Sequence, residues 1–126
     1  MLLGQGIAYS ASPALQNAAL AARGLDDWRY ELCDVAPEGL RAAVERLRGP
    51  EYAGANVTIP HKVAVLELLD EVDPEARAVG ALNTIVSSAG RLVGHNTDVV
   101  AIRGALGRLG ARMALRVIVL GAGGSA

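Results

Sequence analysis

Apolar positions along this chain follow two alternating periods. Short β-branched or leucine-rich runs at 2–4, 28–35, 53–59, 81–86, 91–95 and 115–120 read as strands. Between them apolar residues fall three and four apart, as on a helix: Leu40, Val44 and Leu47 after Pro37, Leu66 and Leu69 within 63–69, and Ile102, Leu106 and Leu109 after Asp98. Ser12-Pro13 opens a further helix, with Ser12 as its N-cap, that runs to about Arg23 and closes at Gly24. Asp73-Pro74 opens a shorter one ending at Gly80 by the same logic. Ser88-Ala89-Gly90 turns 81–86 into a hairpin with 91–95. Regular alternation of β and α elements predicts an α/β fold, a three-layer αβα arrangement around a mostly parallel mixed sheet with one hairpin inserted.

Composition narrows the class. The chain has 126 residues, 52% hydrophobic and 20% charged, enough for one globular domain with a modest core. With no Phe and one Trp, that core is Ala, Leu and Val packed by close backbone approach. A formal net charge of −1 gives no electrostatic case for nucleic acid or an anionic membrane. No apolar run approaches the roughly 20 residues of a membrane span. Met1-Leu2-Leu3 lacks the basic start of a signal peptide. Cys33 is the one cysteine, which fits a reduced, core-facing thiol in a cytoplasmic protein.

The chemistry concentrates in Asn56-Val57-Thr58-Ile59-Pro60-His61-Lys62. Pro60 ends the strand and suits the first turn of the helix expected over 63–69. Asn56, Thr58 and Lys62 then lie near the carboxyl end of a strand, where open α/β sheets place ligands. Taken alone, Lys62 reads more simply as a solvated lysine, and Asp98 as a cap for the helix starting near Val99. Ser10 and Ser12, two hydroxyls beside a helix N-terminus, make a carboxylate-sized anion site.

Strand 115–120 has the unbroken apolar character of a doubly covered parallel strand. It leads into Gly121, Ala122, Gly123, Gly124 and Ser125, the first half of a dinucleotide-binding turn. The helix and ribose-reading residue that should follow are missing, so the expectation is a chain cut just inside a second domain. A cofactor domain preceded by a smaller α/β domain suggests a dehydrogenase whose first domain holds substrate. Hydride transfer to a ketone leaves an alkoxide that needs a proton. Lys62 can supply it if Asp98 holds the ammonium in place.

Five motifs now stand in register: Ser10-x-Ser12-Pro13, Asn56 through Lys62, Gly80-Ala-Leu-Asn83-Thr84, Gly94-His-Asn-Thr-Asp98 and Gly121-Ala-Gly-Gly124. In order and spacing the chain resembles the shikimate dehydrogenases over nearly its whole length. The resemblance implies NADP-dependent, reversible reduction of 3-dehydroshikimate to shikimate in aromatic amino-acid biosynthesis. It implies that Ser10 and Ser12 bind the substrate carboxylate and that Thr58, Asn83 and Asp98 bind ring hydroxyls. Lys62 becomes the proton donor and acceptor with Asp98 beside it, and residues 121–125 line the cofactor phosphates. The implied organisation is a substrate-binding catalytic domain at 1–98, a connecting helix and linker at 99–114, and the start of an NADP-binding Rossmann domain at 115–126. Homodimerisation is left open. Departures from the family pattern are Tyr9 and Gln16, where histidines are usual, a short first strand, and a substrate-contacting Gln expected beyond residue 126. Two alternatives remain: a quinate/shikimate dehydrogenase, against which both serines lean, and a hydroxy-acid-binding fragment inactive without its cofactor domain.

Overall fold

The computed structural model describes residues 1–110, 116 and 118–125. Its strands are β1 (Leu2–Gly4), β2 (Leu32–Asp34), β3 (Gly54–Val57), β4 (Glu71–Val72), β5 (Thr84–Ser88) and β6 (Arg91–His95). Its helices are α1 (Ser12–Ala22), α2 (Leu40–Arg46), α3 (Pro74–Val79) and α4 (Asp98–Arg108), with 3-10 helices at Pro37–Gly39 and Ala64–Leu68. The strands form one sheet in the order β2-β1-β3-β5-β6-β4. β1 runs parallel to β2 and β3, and β4 to β6, while β5 is antiparallel to β3 and β6. This is the expected α/β, mostly parallel mixed sheet with one hairpin.

The apolar period of α2 explains where the core sits. Leu40, Val44 and Leu47 are 3%, 1% and 0% exposed and meet Leu3, Val57, Val65, Leu82, Ile85 and Leu92 in one cluster. Each such side chain contributes about 1.5–3 kcal/mol by leaving water. Cys33 is half-buried against the same cluster. In β3 the backbone of Gly54 passes so close to the carbonyl of Ile85 that a Cβ would clash. By contrast α1 and α4 bury no side chain, and Ile102, Leu106 and Leu109 of the α4 stripe are 47%, 46% and 82% exposed. Among the described residues, no helix is long and apolar enough to cross a membrane.

Several local expectations are corrected. The strand expected over 28–35 narrows to β2, because the Asn17 side chain takes both the N–H and the C=O of Tyr30, each at 2.8 Å. The peptide bond between Ile59 and Pro60 is cis, and the helix expected over 63–69 is the 3-10 segment Ala64–Leu68. There the carbonyl of Lys62 accepts from the amide of Leu82 at 2.9 Å, not from its own segment. Val65 is the fully buried residue of that segment, with Leu66 and Leu69 packed alongside. Ser12 is the first residue of α1 and makes no side-chain cap. Of the strand expected over 115–120, Leu115 and Val117 lie outside the described residues. Arg116 and residues 118–120 are exposed and pair with no strand. The cap at Asp73 and the stop at Gly80 are present as expected: Asp73 accepts from the amide of Ala76 at 2.7 Å, and Gly80 has φ 72°.

Candidate active site

Strand direction alone gathers the polar residues at one edge. β1 and β3 are parallel, so the chain leaves both at the same edge, and the Thr58 amide donates to the Leu3 carbonyl at 2.9 Å there. Because β5 is antiparallel to β3, Asn83 enters at that edge, its carbonyl accepting from the Val57 amide at 2.8 Å. β6 returns there in turn, and the Asn83 amide donates to the His95 carbonyl at 3.1 Å. Thr58, Lys62, Asn83 and Asp98, with the loop that carries Ser10, therefore share one end of the sheet. Gly4 makes room for Thr58: a Cβ at Gly4 would lie 2.6 Å from the Thr58 methyl.

Lys62 and Asp98 form the charged centre. Lys62 Nζ donates to Asp98 Oδ2 at 2.6 Å, with side chains 16% and 33% exposed. Asn83 Nδ2 donates to the other oxygen, Oδ1, at 2.8 Å, so the carboxylate is held on both sides. The Asn83 amide has one possible orientation, since its Oδ1 accepts the Thr97 backbone N–H at 3.0 Å, a group that can only donate. Next to Lys62, His61 turns inward, 1% exposed, and its Nε2–H donates to the carbonyl of Val35 at 2.8 Å. That anchor ties the Lys62 turn to the end of β2.

Asp98 does not cap its helix. Asn96, 5% exposed, accepts the amides of Asp98 at 2.9 Å and Val99 at 3.3 Å, and its Nδ2 donates to the Ala81 carbonyl at 2.8 Å. Asn96 satisfies the first amides of α4 and leaves the Asp98 carboxylate free to face Lys62.

Before α1, Ser10 takes the capping contact that the sequence reading gave to Ser12. Ser10 Oγ accepts the amide of Ser12 at 3.2 Å and donates to Ser12 Oγ at 3.1 Å, so Ser10 performs the capping-type contact. The preceding loop is shaped by Asp34, whose carboxylate accepts the amides of Gly6 and Ile7 at 2.9 and 3.2 Å.

The glycine-rich residues 121–125 lie across from Lys62. Lys62 Nζ donates to Ser125 Oγ at 2.7 Å, and a Cβ at Gly124 would sit 2.9 Å from the Lys62 Cβ. Between this turn and Thr58, Pro60 and Lys62 lies a cleft of about 600 Å³. A larger groove of about 970 Å³ is lined by Trp28, Tyr30, Tyr52, Asn56 and Thr84 and touches neither Lys62 nor Asp98. Of the charged pair, Lys62 lines the smaller cleft, and the ion pair ties Asp98 to it. Asn96, Thr97 and Thr84 stood in the sequence motifs without an assigned role, and Asp34 was not singled out. For Asn96 the signal was present, an Asn two residues before a helix start. Asp34 and Thr84 act across the fold and carry no local signature.

Fold and site together define a class: an α/β domain presenting a paired lysine and carboxylate at the carboxyl edge of a mixed sheet, where such sheets receive ligands. Residues 2–85 match the family described as the shikimate dehydrogenase substrate binding domain, and the chain belongs to that family. It is 50% identical over 126 residues to the NADP(+) shikimate dehydrogenase of Symbiobacterium thermophilum, covering 99% of this chain and 42% of that protein. The crystal structure of shikimate 5-dehydrogenase from Thermus thermophilus in complex with shikimate superposes with a TM-score of 0.87 at 40% identity, covering 98% of this chain and 47% of that one. The same enzyme in complex with NADP(H) and shikimate gives 0.79 at 40% identity, covering 86% and 41%. The chain thus spans less than half the length of these relatives.

Proposed function

We propose that the full-length protein to which this chain corresponds is a shikimate dehydrogenase, reversibly reducing 3-dehydroshikimate to shikimate with NADPH in aromatic amino-acid biosynthesis. The observation that carries the reading is the Lys62–Asp98 pair, held by Asn83 at the ligand-receiving edge of a domain of this family. Residues 1–98 form the substrate-binding catalytic domain, 99–114 the connection and 115–126 the start of the cofactor domain. The relatives' NADP names support the choice of cofactor.

Substrate binds with its carboxylate at Ser10 and Ser12 and its ring hydroxyls at Thr58, Asn83 and Asp98. Residues 121–125 fit a cofactor pyrophosphate, because their glycines permit the close backbone approach already seen against Lys62. NADPH supplies hydride to the carbonyl carbon. As the carbonyl becomes an alkoxide, Lys62 gives its oxygen a proton and becomes a neutral amine, then regains a proton from solvent. In the reverse direction the amine removes the hydroxyl proton. Asp98 keeps Lys62 oriented. Of the three ammonium protons, Asp98 and Ser125 take two among the described residues, which leaves one for the substrate oxygen. The protein works in the cytoplasm, and homodimerisation belongs to this reading as a proposal.

The test is NADPH oxidation by the full-length protein, with 3-dehydroshikimate and 3-dehydroquinate offered separately. Turnover of the first with a higher kcat/KM supports the reading. Preference for the second makes it a quinate/shikimate dehydrogenase, and turnover of neither overturns it.

A further inference from the structure

A line of hydrogen bonds runs from Asp98 away from the cleft, and every link points the same way. The Tyr30 hydroxyl donates to Asn56 Oδ1 at 2.8 Å. Asn56 Nδ2 donates to Thr84 Oγ1 at 3.3 Å and to the Asn83 carbonyl at 3.4 Å. The Thr84 hydroxyl donates to Asn83 Oδ1 at 3.0 Å, and Asn83 Nδ2 completes the line to Asp98 Oδ1 at 2.8 Å.

The direction is forced. Asn56 Nδ2 faces a backbone carbonyl, which can only accept, and Asn83 Oδ1 faces a backbone N–H, which can only donate. The Thr84 hydroxyl, receiving from one amide, must give its proton to the other. Aligned donors polarise one another, and the last of them faces the Asp98 carboxylate.

We propose that Thr84, backed by Asn56 and Tyr30, is a positioning residue that acts with Thr97 to fix the Asn83 amide and so holds Asp98 against Lys62. The inference rests on the acid–base reading above and extends it to residues outside the cleft. Tyr30, Asn56 and Thr84 line the larger groove instead. Tyr30 is itself fixed by Asn17 of α1, the helix that begins at Ser12. Burial raises the Tyr30 phenol above its ordinary range, so it remains a donor through neutral pH. Among the described residues Lys62 is the charged side chain in salt-bridge reach of Asp98, and His95, three positions earlier, turns to Asp73.

The experiment compares Thr84→Val, Thr84→Ser and Tyr30→Phe in the full-length enzyme. Thr84→Val should lower kcat on the order of 10-fold, within the reach of a misplaced acid–base group. Thr84→Ser should restore kcat, and Tyr30→Phe should act in the same direction more weakly. A Thr84→Val enzyme with a lower Tm but wild-type kcat would show a purely structural role and overturn the proposal. Should the wild type turn over neither keto acid, the functional reading fails separately. The relay is then read from the Asn83 side-chain amide resonances, which must broaden in Thr84→Val if Thr84 helps to fix the amide; an unbroadened pair rejects it.

Discussion

Asp98 Oδ2 accepts from Lys62 Nζ at 2.6 Å across 36 positions of sequence. Neither residue is convincing alone, since a lysine after a strand is commonly solvated and an aspartate before a helix commonly caps. The fold removes both ordinary explanations. Lys62 is mostly covered, at 16% exposure, and the Asp98 carboxylate turns to Lys62 and Asn83 while Asn96 accepts the first amides of α4.

Asn96 therefore carries a double load. Asn96→Ala removes acceptors for two amides and a donor to the Ala81 carbonyl. Stability should fall by about 1–2 kcal/mol, the scale of a lost helix cap. With the entry to α4 loosened, kcat should fall as well. Denaturant unfolding and steady-state kinetics on the same variant check both, and a stability loss with unchanged kcat would separate the cap from the site.

The serine pair predicts a different kinetic signature. Ser10→Ala with Ser12→Ala removes two hydroxyls beside the α1 N-terminus, at a distance from the proton-transfer pair. KM for the keto acid should rise mainly, with a smaller change in kcat. A lower Tm with unchanged KM would reduce the pair to loop structure, the role already visible in the Ser10 contact with the Ser12 amide.

Acid should act on the hairpin side of the sheet in part through Asp73. The amide of Ala76, and then His95, hold its carboxyl below the ordinary value of 3.8. A depressed folded pKa means that the unfolded chain binds the proton more readily. The contribution of Asp73 is therefore fully present above about pH 5 and is lost as pH falls below 3.8 through the lower folded value. Asp73→Asn should flatten that part of the stability–pH curve, measured by urea midpoints. A curve of unchanged slope would contradict the assignment.

What the sequence made legible was what neighbours in the chain decide. The hairpin around Ser88-Ala89-Gly90, the Asp73 cap and the Leu40, Val44, Leu47 face of α2 all rest on local spacing, and all are present. Two of the misreadings share a long-range cause. Tyr30 leaves its strand because Asn17 claims its backbone, and the turn before the expected 63–69 helix is tied to Leu82 through the Lys62 carbonyl. Ser12 loses its capping part to Ser10, two residues earlier. The named residues Thr58, Lys62, Asn83 and Asp98 do meet at one edge, because strand direction brings them there. The line from Tyr30 to Asn83 was invisible in sequence, since its members lie on separate strands and loops with no common spacing.

The most direct test of the account is Lys62→Ala in the full-length enzyme, with kcat and shikimate affinity measured separately. Removal of a positioned proton donor should lower kcat by about 10²–10⁴. Shikimate affinity should change far less, because the carboxylate and hydroxyl contacts remain. A Lys62→Ala enzyme that folds and retains wild-type kcat would contradict the assignment of Lys62 as the acid–base group.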